Sequence, residues 1–206
     1  EYFKTLREKN LPIVFFNRIA PEVSAYNVII DDYKWAFTAV EHLIKEGYKR
    51  IAHLAGPENL FLSKERKRGY IDALKKYGYP IEEELIIPAG ILMESGITAA
   101  YSILEMPNKP DAIFAVNDPA AIGAMKTLQK KGMVIPHDIA FVGFSESQKA
   151  LIIEPNLTSV EQPTFEMGKV TAELLVCGNS CIHYCRDSMW IFIIRTNDSK
   201  RTTGVK

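Results

Sequence analysis

Several signals are scarce in this 206-residue chain, and each scarcity excludes a class of protein. Cysteine occurs only at Cys177, Cys181 and Cys185. That cluster is unlike the even, dispersed set that staples a secreted domain, and it points to the reducing cytoplasm. Excess charge of either sign is also missing: 25 Lys and Arg balance 25 Asp and Glu. The chain therefore carries no global field to draw in nucleic acid, polyanions or a lipid surface. No apolar run approaches the roughly 18 residues of a membrane span, and the charged start EYFKTLREKN is helical in pattern and carries no export signal.

Signatures of catalysis and of cofactor binding are equally sparse. The nearest candidate for a phosphate loop, LAGPENLFLSKER, has Pro directly after its only Gly. GFSES holds half of a nucleophile elbow, and Ser145 has no evident His partner. His42, His53, His137 and His183 are scattered and read as surface or capping residues. Cys177, Cys181, His183 and Cys185 lack the Cys-x2-Cys pairs of zinc modules. The expectation is a protein that is not an enzyme and has no cofactor and no metal.

What is abundant is alternation. With 47% hydrophobic residues the chain can bury roughly 70% of its unfolded surface. Short β-rich runs near 12–16, 27–30, 50–55, 84–88, 112–116 and 138–143 alternate with helical patterns such as LSKERKRGYIDALKKYGY and DPAAIGAMKTLQKKGM. This predicts an α/β fold of parallel strands joined by right-handed helical crossovers. Ser63 and Asp118 stand where N-caps belong, and Gly47, Gly78 and Gly132 where helices end.

Ligands of open parallel sheets sit beyond the carboxyl ends of the strands. Those ends carry Asn17-Arg18, Asp31-Asp32, the loop from Gly56 to Arg66, Gly90-Ile91, Asn117-Asp118 and Ser145-Glu146. Two readings of Arg66 stand side by side: a bond to a nearby carboxylate, or a planar fork turned toward a polar ligand. Asp118 before Pro119 reads as a helix cap. Asn117 then remains at the strand mouth, where its amide can both donate to and accept from a hydroxyl-rich ligand.

The stretches VEHLIKEGYKRIAHLAGP, SKERKRGYIDAL, AIFAVNDPAAIGAMKTLQKKGMVIPHDIAFVGF and PNLTSVEQPTFEMG resemble, in order and spacing, the effector-binding domain of LacI/GalR-type transcriptional repressors. The resemblance runs from about residue 3 to 175. It implies two parallel-sheet subdomains of type I periplasmic-binding-protein form, the first incomplete. Residues 1–30 and 162–188 would form the N-terminal subdomain, and 31–161 with 189–206 the C-terminal one. It also implies a small sugar-like effector held between them, a homodimer, and operator DNA contacted only through an N-terminal headpiece outside this chain. An extracytoplasmic sugar-binding protein of a transporter is the alternative. The family's effector contacts fall on Asn17, Arg66, Ile91, Asn117 and Ser145.

This sequence departs from the family pattern in several places. An acid is common where Asn17 and Ser145 stand, and an aromatic where Ile91 stands; Glu146 is placed to supply a lost carboxylate. Trp35 replaces a customary Gly. LLVCGNSCIHYCRDSMW breaks the helical pattern, and the resemblance resumes faintly at IFIIRTNDSKR, as a local reading-frame slip would produce.

Overall fold

A computed structural model describes residues 2–145, 148–177 and 191–195. In chain order the elements are α1 (Tyr2–Glu8), β1 (Val14–Phe16), β2 (Tyr26–Ile30), α2 (Asp32–Lys45), β3 (Ile51–Ala55), α3 (Phe61–Lys76), β4 (Ile86–Pro88) and α4 (Met93–Glu105). Then follow β5 (Ala112–Ala115), α5 (Asp118–Lys130), β6 (Ala140–Ser145), α6 (Gln148–Ile152), β7 (Thr158–Glu161), α7 (Thr164–Cys177) and β8 (Ile191–Arg195). The alternation read from sequence is present. The short elements α6 and β7 are additions that no long periodic run announced.

The chain divides into two compact units, Asp32–Gln162 and the pair of segments Glu1–Asp31 and Pro163–Lys206. In the first of these the sheet order is β4-β3-β5-β6-β7, with every strand pair parallel. Strands of such a sheet are covered on both faces, which explains why all five residues of β3 are buried although only one is polar. Side-chain alternation assigns the faces. Ala52, Leu54, Ile113, Ala115 and Phe141 join the core beneath α4 and α5. His53 and Phe114 turn the other way and stack with Tyr70 of α3.

Helix pairs are pressed together where glycine removes a side chain. A Cβ on Gly96 would lie 2.0 Å from the Ala120 carbonyl oxygen, and one on Gly123 would lie 2.1 Å from that of Met93. The backbones of α4 and α5 therefore touch reciprocally. The expected helix ends at Gly47, Gly78 and Gly132 have positive φ of 99°, 73° and 90°, the left-handed conformation that terminates a helix.

In the second unit β1 pairs with β2 in parallel and β8 pairs with β2 antiparallel, while α7 packs against β1 and β2. One expectation changes here. Residues 189–206 were expected in the C-terminal subdomain, but strand Ile191–Arg195 belongs to the β2 sheet. An antiparallel strand can add to a sheet without the right-handed crossover that parallel pairing demands, so the alternation signal did not reveal it. The cysteine-bearing segment with Cys181, His183 and Cys185 lies outside the described residues.

His53 corrects the reading of the histidines as surface or capping residues. Its ring is fully buried, stacked on Tyr70 and Phe114 with centroids 5.2 Å and 5.1 Å away. Nδ1 lies 3.0 Å from the Phe114 carbonyl oxygen, and Nε2 has no hydrogen-bond partner among the described residues. Burial pushes the imidazole down from 6.5 to about 4. A histidine depressed in the folded state contributes stability above the unfolded pKa, and that contribution is lost as pH falls toward the folded one. We predict that stability drops by about 2 kcal/mol between pH 7 and pH 5 from this group. Urea unfolding at the two pH values should show a smaller drop in His53→Phe; an equal drop would assign the pH dependence elsewhere.

Candidate functional site

The order β4-β3-β5-β6-β7 makes β3 the first strand of the sheet and sends the chain outward on both sides of it. The loops after β3 and β5 thus diverge at a topological switch point, where doubly wound sheets leave a crevice for ligands. Arg66, Ile91, Asn117 and Ser145 all lie in this unit, on the segments that follow β3, β4 and β5 and at the end of β6.

Arg66 is 2% exposed, one and a half turns into α3. Its Nε and Nη2 both donate to Asp32 Oδ1, at 2.8 Å and 2.6 Å, and Nη1 donates to the Val116 carbonyl oxygen at 2.5 Å. The guanidinium carbon stands 3.5 Å from the centroid of Phe144. Burying a cation requires a counter-charge and bonded donors, and all three partners supply this. Of the two readings of Arg66, the carboxylate bond is the one the structure contains. The neighbouring cations behave differently: Lys67 pairs with Glu58, Arg68 pairs with Glu65 and lies over Tyr33, and Lys64 is exposed.

The helix cap expected at Asp118 is supplied by Asn117. Asn117 has extended dihedrals (φ −158°, ψ 168°) and its Oδ1 accepts from the Ala120 N–H at 3.0 Å, so Asn117 is the N-cap of α5. Helical geometry begins at Asp118, which places Pro119 second in the helix, still within the first turn whose N–H groups have no intrahelical partner. Asp118 is fully buried and accepts from Ser159 Oγ at 2.6 Å. Gly143 makes room for it, since a Cβ there would lie 2.4 Å from its Oδ1. Ser63 is likewise no cap: α3 starts at Phe61, after a turn in which Leu60 N–H donates to the Pro57 carbonyl, and Leu60 occupies the cap position without a side-chain bond.

Asn117 also reaches sideways. Its Nδ2 donates to the Ile91 carbonyl oxygen at 2.8 Å, tying the loop after β4 to the start of α5. Ile91 packs with Leu60 against Leu62, Val116 and Ala120, an apolar floor beside the Arg66 clamp. Ser145 ends β6 half-buried with φ 116°, a left-handed value rare for serine. Glu146 lies outside the described residues. Asn17 is half-buried in the other unit, just after β1, with φ 57° and its N–H on the Val28 carbonyl at 2.9 Å. Trp35 is half-buried in α2, with the Lys34 ammonium 5.1 Å from its ring.

A groove of about 450 Å³ lies elsewhere on α3, bordered by Gly56, Glu58, Ser63, Lys67 and Asp72. Arg66 does not line it; the groove's cations are the surface residues Lys64, Lys67, Arg68 and Lys75. Among the described residues no three metal-ligating side chains gather, and no helix is long and apolar enough to cross a membrane.

A doubly wound parallel sheet with polar side chains gathered at its switch point defines a small-molecule-binding unit. The comparisons make this specific. Residues 40–178 match the family described as periplasmic binding protein-like domain. The chain is 34% identical over 82% of its length to the HTH-type transcriptional repressor CytR of Escherichia coli K12 and 36% identical over 83% to the probable HTH-type transcriptional repressor ExuR of Bacillus subtilis 168. It spans about half the length of these curated relatives, 50% and 51%. A LacI-family regulatory protein from Chloroflexus aggregans superposes with TM-score 0.77 at 35% identity, covering 84% of this chain and 63% of that one. The transcriptional regulator CelR, in complex with cellobiose, superposes with TM-score 0.79 at 31% identity, covering 94% and 61%. The chain belongs to the periplasmic binding protein-like family, in the form carried by LacI-family transcriptional regulators.

Asn117→Ala removes the cap of α5 and the tether of the Ile91 loop together. We predict a loss of about 1 to 2 kcal/mol in denaturant unfolding, with faster amide exchange across residues 89–93. An unchanged midpoint and unchanged exchange would show that neither bond matters to the fold.

Proposed function

We propose that this chain is the effector-sensing and dimerising part of a cytoplasmic LacI/GalR-type transcriptional regulator, and that it has no enzymatic activity. A small sugar-like ligand binds at the strand ends around Arg66, Asn117, Ile91 and Ser145. The carrying observation is the Arg66 clamp: a buried planar donor, fixed by two elements and a strand end, beside an apolar floor and an amide. That combination suits a polyol, whose ring has an apolar face and a rim of hydroxyls. The solved relative carrying cellobiose supports a sugar, although an aliphatic Ile91 in place of an aromatic changes how a ring would be stacked.

Operator DNA is contacted by a helix-turn-helix headpiece outside residues 1–206, in keeping with the HTH-type repressors that the chain is similar to and with the neutral net charge of this chain. Exposed apolar side chains on α4 (Ile97, Tyr101) and on α6 (Leu151, Ile152) support a second copy of the chain as their cover. The repressor relatives favour this reading over a transporter's binding protein.

The test is a calorimetric panel of mono- and disaccharides, cellobiose included, on the full-length protein. A sugar should bind, and Arg66→Ala should weaken it by about 2 kcal/mol or more. Equal affinity in Arg66→Ala would remove the clamp from the ligand site.

A further inference from the structure

The partner of Arg66 carries information of its own. Side-chain exposure is 3% for Arg66 and 4% for Asp32, so the two charges face each other almost out of reach of solvent. Asp32 is the first residue of α2, where the positive end of the helix dipole favours an ionised carboxylate. One oxygen of that carboxylate takes two of the guanidinium donors while the Val116 carbonyl takes a third, which fixes the plane of the fork. Phe144 covers the fork on its flat side. Summed over the pair, the charge is zero.

The other described candidate positions of this unit add none. Ile91 is aliphatic, Asn117 is an amide engaged at both ends, and Ser145 is a hydroxyl. A lone buried guanidinium would hold an uncompensated charge and recruit an anion. The pair instead offers oriented donors without a net charge.

We propose that Asp32 is the specificity-determining residue of this site: it cancels and orients Arg66 so that the site takes an uncharged polyhydroxylated ligand and refuses ligands that bring a carboxylate or a phosphate. This rests on the strand ends being the effector site. Asp32 is a positioning residue, acting through Arg66. A carboxylate ligand would have to displace Asp32 from both donors or sit against it, and like charges in a desolvated site repel strongly.

The experiment titrates inorganic sulfate into the full-length protein by calorimetry and compares glucose with glucuronate at equal concentration by thermal shift. Wild type should take no measurable sulfate. Asp32→Asn should bind it at least about tenfold more tightly than wild type, Asp32→Glu should return to wild-type behaviour, and adding Arg66→Gln to Asp32→Asn should abolish the gain. A merely structural Asp32 would lower the melting temperature without conferring anion binding. No gain of sulfate in folded Asp32→Asn overturns the proposal. So does a larger wild-type shift with glucuronate than with glucose, which decides the matter even where Asp32→Asn does not fold. Sulfate capture reads the charge balance alone, so its failure is distinct from a failed sugar panel.

Discussion

A guanidinium buried to 2% exposure is the constraint around which the Asp32–Gln162 unit is arranged. Left unpaired, such a charge costs several kcal/mol, so α2 must present Asp32, the end of β5 must present the Val116 carbonyl, and β6 must present the face of Phe144. These partners come from three separate elements. The clamp therefore couples the first helix of the unit to the third and fourth strands of its sheet, at the end where its loops converge. Replacing Arg66 by a surface cation such as Lys64 would not do this, because Lys64 projects to solvent.

Close packing supplies the rest of the rigidity. Gly96 and Gly123 let α4 and α5 meet backbone to backbone, and Gly69 does the same for α3 against α2, where a Cβ would lie 2.5 Å from the Tyr33 carbonyl oxygen. The site thus stands on helices that cannot slide far without a clash. Asn117 adds a link of another kind, spending one end of its amide on the start of α5 and the other on the Ile91 loop. A ligand at Asn117 would have to share that amide or take over one of its bonds, which connects occupancy to the position of the β4 to α4 loop.

Much of the fold was legible in the sequence, because buried parallel strands and amphipathic crossover helices have different periods. IAHLA and AIFA are unbroken apolar runs apart from His53, and four helices carried clear stripes. The strands β7 and β8 were not legible: TSVE is short and half-exposed, and IFIIR has the period of a strand but no local sign of its antiparallel partner. The strand ends that carry the candidate residues were legible, and the bonds those residues make were not. Counting to strand ends located Arg66, Ile91, Asn117 and Ser145. Whether Asn117 or Asp118 capped α5 turned on one residue of extended backbone, which periodicity does not resolve. Asp32 as the partner of Arg66 is 34 positions away in sequence, and nothing local announces a pairing at that range.

The central claim is that ligand engages the Arg66 clamp and the Asn117 amide together. The most direct measurement is side-chain ¹H–¹⁵N NMR of the full-length protein, with Arg66 and Asn117 resonances assigned by substitution, as the best sugar of the panel is titrated to saturation. The account predicts that the Arg66 guanidinium and Asn117 Nδ2 signals shift in step with occupancy. Saturation of the protein with both signals unmoved would contradict it.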